Sequence, residues 1–146
     1  MKALNKFLKG ELEFIDLGLL FLRILPSYYM LVDHGWSKII NPEKWYKLGN
    51  AVTKYFGDLI DFMNPFFGFL ASLSESVGAV LILFGLFTKQ SSMLLSLTML
   101  FAALNHITGT GSPEKAWIYF SIFLAISLIG PGKYSLDNKF FSSNRN

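Results

Sequence analysis

The stretch FFGFLASLSESVGAVLILFGLF, from Phe66 to Phe87, decides the fold of this chain, and it is apolar except for Glu75 and a few serines. At about 1.5 Å of rise per residue, a helix of this length would be roughly 33 Å long, close to the hydrocarbon thickness of a bilayer. The stretch therefore predicts a transmembrane helix. A carboxylate at membrane depth costs about 2.5 to 3.5 kcal/mol unless it faces protein, water or an opposite charge. We therefore expect a compensating partner for Glu75.

The composition around this stretch also indicates a membrane protein. The chain has 146 residues, of which 52% are hydrophobic and 16% are charged, and its mean hydropathy is +0.42. This length predicts a single domain over residues 1–146. The absence of cysteine excludes disulfides, thiolate metal sites and dithiol redox centres. The basic residues are scattered, which argues against nucleic-acid binding.

Three further apolar stretches complete the predicted fold, an all-α membrane protein built as a four-helix transmembrane bundle. The four spans are predicted at residues 14–32, 66–87, 91–107 and 116–129. An amphipathic helical segment is predicted between the first two spans, because Asn41 and Pro42 form a helix start and apolar residues then recur three or four apart. This segment is too polar to cross a membrane, and Gly57 is a candidate break within it.

The distribution of charge predicts the orientation. With four spans, both termini lie on one side, together with seven basic residues: Lys2, Lys6, Lys9, Lys89, Lys133, Lys139 and Arg145. The other side carries five: Lys38, Lys44, Lys47, Lys54 and Lys115. Because basic loops stay inside, we expect cytoplasmic termini. The three early acids, Glu11, Glu13 and Asp16, interrupt the first apolar run and argue against a cleaved signal peptide.

The polar residues of the spans predict a site. Arg23 and Glu75 both fall near the middle of their predicted spans, so we expect them to form an ion pair. Further polar and aromatic residues fall near the ends of the first and third spans: His34, Trp36, Lys38, Asn105 and His106. A pocket with Arg23 and Glu75 at its floor and these residues at its rim would suit a ligand with a polar head and an apolar body.

Five segments of the sequence form a recognisable set: LGLLFLRIL at 17–25, HGWSKI at 34–39, ESVGAVLILFGLFTK at 75–89, LNH at 104–106 and GPGKYSLD at 130–137. Together they resemble the DoxX family of small bacterial membrane proteins, and the last segment is the most specific. The resemblance implies a helix bundle of the bacterial inner membrane in a family linked to quinone-coupled redox complexes. The residues matched to the polar motif positions of the family are Arg23, His34, Gly35, Lys38, Glu75 and His106.

Several functions remain open at this stage. In a quinone-binding subunit of an oxidoreductase complex, Arg23 would hydrogen-bond a quinone carbonyl, Glu75 would exchange a proton, and a partner protein would supply electrons. Alternatively, the Arg23–Glu75 pair is structural, and the chain is a membrane scaffold, an assembly factor or a small-molecule permease. Two histidines without a third donor make an incomplete zinc site, so neither metal nor haem is expected.

Overall fold

The structure is a computed structural model that describes residues 14–109 and 111–141. All regular structure in this part of the chain is helical. The α-helices, numbered in order, are α1 Ile15–Tyr29, α2 Trp36–Ile39, α3 Trp45–Thr53, α4 Asn64–Leu73, α5 Ala79–Phe84, α6 Thr88–Thr108, α7 Glu114–Ile129 and α8 Leu136–Phe141. Short π or 3₁₀ segments cover Met30–Gly35, Pro42–Lys44, Asp58–Met63 and Ser74–Gly78.

Three continuous helices are long and apolar enough to cross a membrane. Span 1 covers Ile15–Ile39, span 2 covers Asp58–Phe84 and span 3 is α6, with 25, 27 and 21 residues. At 1.5 Å per residue their lengths are roughly 31 to 40 Å. Their outer faces carry many exposed Leu, Ile and Phe side chains, as lipid contact requires. The first three predicted spans are therefore helical. Span 1 ends seven residues after its predicted end, and span 2 begins eight residues before its predicted start and ends three residues before its predicted end.

The core draws on all three spans and on α7. Met30 of span 1, Ile82 of span 2, Leu95 of span 3 and Phe123 of α7 are fully buried in one cluster. Helix α7 has 16 residues, about 24 Å of helix, and is shorter than the other three. The all-α membrane fold is confirmed, whereas a fourth membrane crossing by α7 stays a prediction.

Spans 1 and 2 cross at their π-helical segments. Gly35 ends the π segment of span 1 and lies against the backbone of Glu75, in the π segment of span 2. A Cβ atom at Gly35 would overlap the Glu75 carbonyl, so glycine is needed for this approach. Single π turns in long helices are frequent at functional sites. The crossing brings the end of span 1 directly beside Glu75.

The amphipathic segment predicted between spans 1 and 2 is present and packs against span 2. Gly49 of α3 lies against the Asn64 backbone, and Gly68 of span 2 lies against the Trp45 backbone. The two glycines let the helix axes approach closely. Gly57 has a φ of 80° and separates α3 from span 2, which confirms the predicted break. We call this end of the bundle, with α3 and residues 109 and 111–113, the cap end.

The GPGKYSLD segment closes the opposite end, which we call the tail end. The Asp137 carboxylate accepts hydrogen bonds from the backbone N–H groups of Phe87 (2.7 Å) and Thr88 (2.8 Å), at the start of span 3. The Lys133 N–H donates to Asp16 at 2.8 Å. The two bonds to Asp137 satisfy N–H groups at the start of span 3 that would otherwise lack partners, and Asp137 N–H itself donates to the Gly85 carbonyl after span 2. The segment therefore joins the ends of spans 1, 2 and 3.

Candidate binding site at the Lys38–Glu75 pair

Arg23 does not pair with Glu75, and that prediction is wrong. The Arg23 side chain is buried and directed toward the tail end, where Nη2 donates to the Tyr134 carbonyl at 2.6 Å. Its Nη1 lies against Gly85, where a Cβ atom would overlap it. Arg23 is therefore a structural contact between span 1 and the GPGKYSLD segment, away from the polar residues of the cap end.

The helix register explains this error. Spans 1 and 2 are antiparallel, and Gly35 lies opposite Glu75. Arg23 lies roughly 18 Å from Gly35 along the axis of span 1, so it is level with the other end of span 2. The sequence-based boundaries ended span 1 at residue 32 and began span 2 at residue 66, which placed both charges near the middle of their helices.

The partner of Glu75 is Lys38. Span 1 continues to Ile39, and the Lys38 ammonium group forms an ion pair and hydrogen bond with the Glu75 carboxylate. The Glu75 side chain is 3% exposed and the Lys38 side chain 22%. A buried carboxylate is thereby compensated by a cation that keeps some contact with solvent.

A cavity of about 760 Å³ lies on one side of the ion pair. Its walls are α3, span 2 and span 3, with apolar side chains over most of the surface. Glu43, Lys44 and Lys47 lie at its polar edge, and Leu97, 45% exposed in the middle of span 3, lines its apolar side. The remaining lining residues are Ser37, Lys38, Leu48, Ala51, Val52, Phe67, Leu70, Ala71, Glu75, Leu94, Thr98, Phe101, Ala102, Asn105 and His106.

A second cavity of about 420 Å³ reaches the same pair from the side of α7. Its lining includes His34, Ser112, Glu114, Lys115 and Tyr119. The two cavities share four lining residues, which are Lys38, Glu75, Ala102 and His106. The ion pair and His106 thus stand between a larger cavity bordered by α3 and a smaller cavity bordered by α7.

The other predicted site residues differ in position. His34 lines the smaller cavity and contacts the Tyr119 ring edge to face, with centroids 6.0 Å apart. Asn105 lines the larger cavity, where its Oδ1 accepts a hydrogen bond from Lys54 at 2.6 Å. Trp36 is 61% exposed and borders neither cavity, so the structure separates it from the group. The structure therefore brings together His34, Lys38, Glu75, Asn105 and His106.

Sequence reasoning missed the contribution of α3 and α7. Leu48, Ala51 and Val52 of α3 form one wall of the larger cavity, and their spacing of three and four was the available signal. Glu114 and Lys115, at the start of α7, were not among the predicted site residues, yet both line the smaller cavity. Within residues 14–109 and 111–141, no cluster of three His, Asp or Glu side chains is placed to hold a metal ion.

The fold and this polar centre define an integral membrane protein of the all-α class with a buried ion pair between two cavities. A family model described as DoxX matches residues 18–107, and the chain belongs to this family. It is also 34% identical over 132 residues to an uncharacterized protein of Haemophilus influenzae strain Rd, covering 84% of this chain and 90% of the relative. No solved structure matches the chain.

Proposed function

We propose that this chain binds a quinone, or a lipid-soluble molecule of the same shape, in the larger cavity, as the membrane subunit of a redox complex. The observation that carries the proposal is the Lys38–Glu75 pair, buried at the wall of a cavity that is otherwise mostly apolar. Ligand sites are typically apolar clefts with a few converging polar groups. The volume of about 760 Å³ is within the range of such sites.

The polar groups fit a ring that carries carbonyl or hydroxyl oxygens. The Lys38 ammonium is a donor, the Glu75 carboxylate is an acceptor, and the His106 imidazole can serve as either. A quinone bound here would accept electrons and take up protons at its oxygens. Glu75 and Lys38 would orient those oxygens and hold or release the protons. Arg23 has no part in this, because it bonds the Tyr134 carbonyl at the tail end.

The route of entry favours a molecule dissolved in the bilayer. Leu97 lines the larger cavity and is 45% exposed. An apolar tail could enter beside it without crossing water. Because the chain has no cysteine, dithiol chemistry is excluded, and electrons would come from a partner redox protein.

We propose a location in the bacterial inner membrane with cytoplasmic termini. Lys38 is paired with Glu75 in the protein interior, so it no longer counts among the free basic residues of the cap end. This widens the excess of basic residues at the tail end. Alkaline phosphatase fused after the last residue should be inactive and green fluorescent protein fused there should fluoresce, and the reverse pattern would exclude this orientation.

The test is quinone binding to the purified protein in lipid nanodiscs. Ubiquinone-1 is added, and binding is measured as quenching of tryptophan fluorescence. We expect saturable binding that Glu75→Gln weakens at least about tenfold, because the carboxylate holds in place the Lys38 ammonium group that donates to a quinone oxygen. The control is Asp16→Asn, which breaks the other lysine–carboxylate pair, with Lys133 at the tail end. It should bind as the unmodified protein does.

The same measurement separates the alternative functions. A scaffold or assembly factor whose ion pair is structural would show no saturable quinone binding in any variant. A permease for polar solutes would show none either, and proteoliposomes would accumulate its solute instead. Equal binding by the unmodified protein and Glu75→Gln would remove the ion pair from the proposed site.

A further inference from the structure

The smaller cavity points to a second role for the Lys38–Glu75 pair. Its mouth lies at the cap end, where Ser112, Glu114 and Lys115 are exposed. Its inner end is the Glu75 side chain, which is 3% exposed. The cavity therefore connects charged surface residues with a buried carboxylate.

The lining of this cavity combines apolar side chains with polar groups that can bind water. Six of its residues are acids, bases or histidines: His34, Lys38, Glu75, His106, Glu114 and Lys115. Water occupies a cavity that is large enough and offers it hydrogen-bond partners. A volume of about 420 Å³ is far above the space that one water molecule needs.

We propose that the smaller cavity is a water-filled vestibule that carries protons between the solution at the cap end and Glu75. In the step itself, a hydronium ion in the vestibule gives a proton to a Glu75 carboxylate oxygen and becomes water, and no electron moves. His34 and His106 line the path, and histidine is the side chain suited to exchange protons near neutral pH. The inference rests on the proposed function in one respect: the ligand in the larger cavity is the group that finally receives the proton.

Charges from every neighbouring element act on this proton. Lys38 of span 1 is in direct contact with the carboxylate, and Lys115 of α7 adds a second positive charge. Glu114 of α7 opposes them at the mouth. On the side of the larger cavity, Glu43, Lys44 and Lys47 line the polar edge. Protonation of Glu75 therefore breaks the pair with Lys38 and leaves the ammonium group facing both cavities.

Substituted cysteines test whether water fills the vestibule, since the natural chain has none. The three single variants are Ala116→Cys (smaller cavity only), Ala71→Cys (larger cavity only) and Ala103→Cys, at a position fully buried in the core. A membrane-impermeant quaternary-ammonium methanethiosulfonate is added to each variant in nanodiscs. We expect Ala116→Cys to react at least about tenfold faster than Ala103→Cys, whose thiol is reached only when the packed core opens.

The outcomes separate the two proposals. If Ala116→Cys is no more reactive than Ala103→Cys while Ala71→Cys is labelled, water enters only the larger cavity and the vestibule is overturned. If Ala116→Cys is labelled rapidly but quinone does not bind to the unmodified protein, the vestibule stands and the proposed function fails.

Infrared spectroscopy tests the proton itself. After rapid acidification of nanodiscs, the carboxylic-acid carbonyl band of the unmodified protein should contain a component that is absent from Glu75→Gln. Ala116→Phe, which fills the vestibule, should slow its rise, and Ala116→Ser, which keeps it open, should not. An equal rate in Ala116→Phe, or an unchanged band in Glu75→Gln, would overturn the proton path.

Discussion

The charged groups of Lys38 and Glu75 are buried to different extents, so the two residues differ in how much they depend on their ion pair. The Glu75 side chain is only 3% exposed, whereas Lys38 retains 22% exposure and can be partly solvated without its partner. Removing one partner of a buried pair leaves the other charge uncompensated. Loss of the lysine should therefore destabilise the fold more than loss of the acid.

We expect Lys38→Met to lower the free energy of unfolding by about 2 kcal/mol, less than for a fully buried pair, because Lys38 is partly exposed. The double variant Lys38→Met, Glu75→Gln should recover part of this loss, since no unpaired charge remains. Thermal unfolding in detergent, monitored by circular dichroism, measures the stability of the single and the double variant. The control is Lys133→Met, which breaks an exposed pair of 3.8 Å and should change stability by less than about 0.5 kcal/mol. Equal effects of Lys38→Met and Lys133→Met would contradict the assignment of a buried pair.

The sequence predicted the residue types of the site better than their partners. The buried charge of Glu75 was predicted to need an opposite charge beside it. Lys38 supplies that charge, in place of Arg23. The difference arises because the sequence shows apolar runs, while the crossing point of two helices depends on where a small residue lets backbones meet. Gly35 fixes that point, whereas a Cβ atom added at Gly18 would meet no atom within 4 Å.

At the scale of elements, the crossing of the two π segments sets the site. Gly35 holds the end of span 1 against the Glu75 backbone and so fixes where Lys38 reaches. The outer wall depends on a similar contact, because Gly49 and Gly68 let α3 pack against span 2. The amphipathic pattern of α3 was visible in the sequence, but its role as a cavity wall was not, because that depends on packing between distant segments.

Gly35→Ala should therefore separate spans 1 and 2. The added methyl group overlaps backbone atoms of Glu75, which cannot rotate away as a side chain can, so a loss of roughly 1 to 3 kcal/mol is expected. The matched control in the same span is Gly18→Ala, where no atom lies within 4 Å. It should be neutral or slightly stabilising, because alanine favours helix. Thermal unfolding in detergent compares the two, and similar melting temperatures would contradict the crossing.

At the scale of the whole molecule, the two ends of the bundle have different tasks. The cap end holds the ion pair and both cavities. The tail end is closed by GPGKYSLD, which bonds Asp16, Arg23 and the start of span 3. The specificity of this motif in the sequence therefore reflects structure, whereas the chemistry lies at the opposite end. The seven basic residues counted for the termini side include Lys2, Lys6, Lys9 and Arg145, which lie outside the described residues.

Removal of the Asp137 carboxylate tests the role of the tail end. Asp137→Ala leaves the N–H groups of Phe87 and Thr88 without an acceptor, which should cost about 1 to 2 kcal/mol, as for other helix caps. Quinone binding should be unchanged once the variant is folded, because the site is at the other end. The control is Lys139→Ala on the exposed face of α8. A variant that keeps full stability but loses binding would contradict this division of the molecule.

The most direct test of the ligand site is photo-crosslinking with an azido-quinone in membranes, followed by mapping of the labelled peptides. We predict crosslinks on the walls of the larger cavity, within residues 67–75 of span 2 and 94–106 of span 3, that excess ubiquinone-1 suppresses and Glu75→Gln reduces. Crosslinks confined to outward-facing side chains such as Phe84 and Leu128, and unaffected by competitor, would contradict the account.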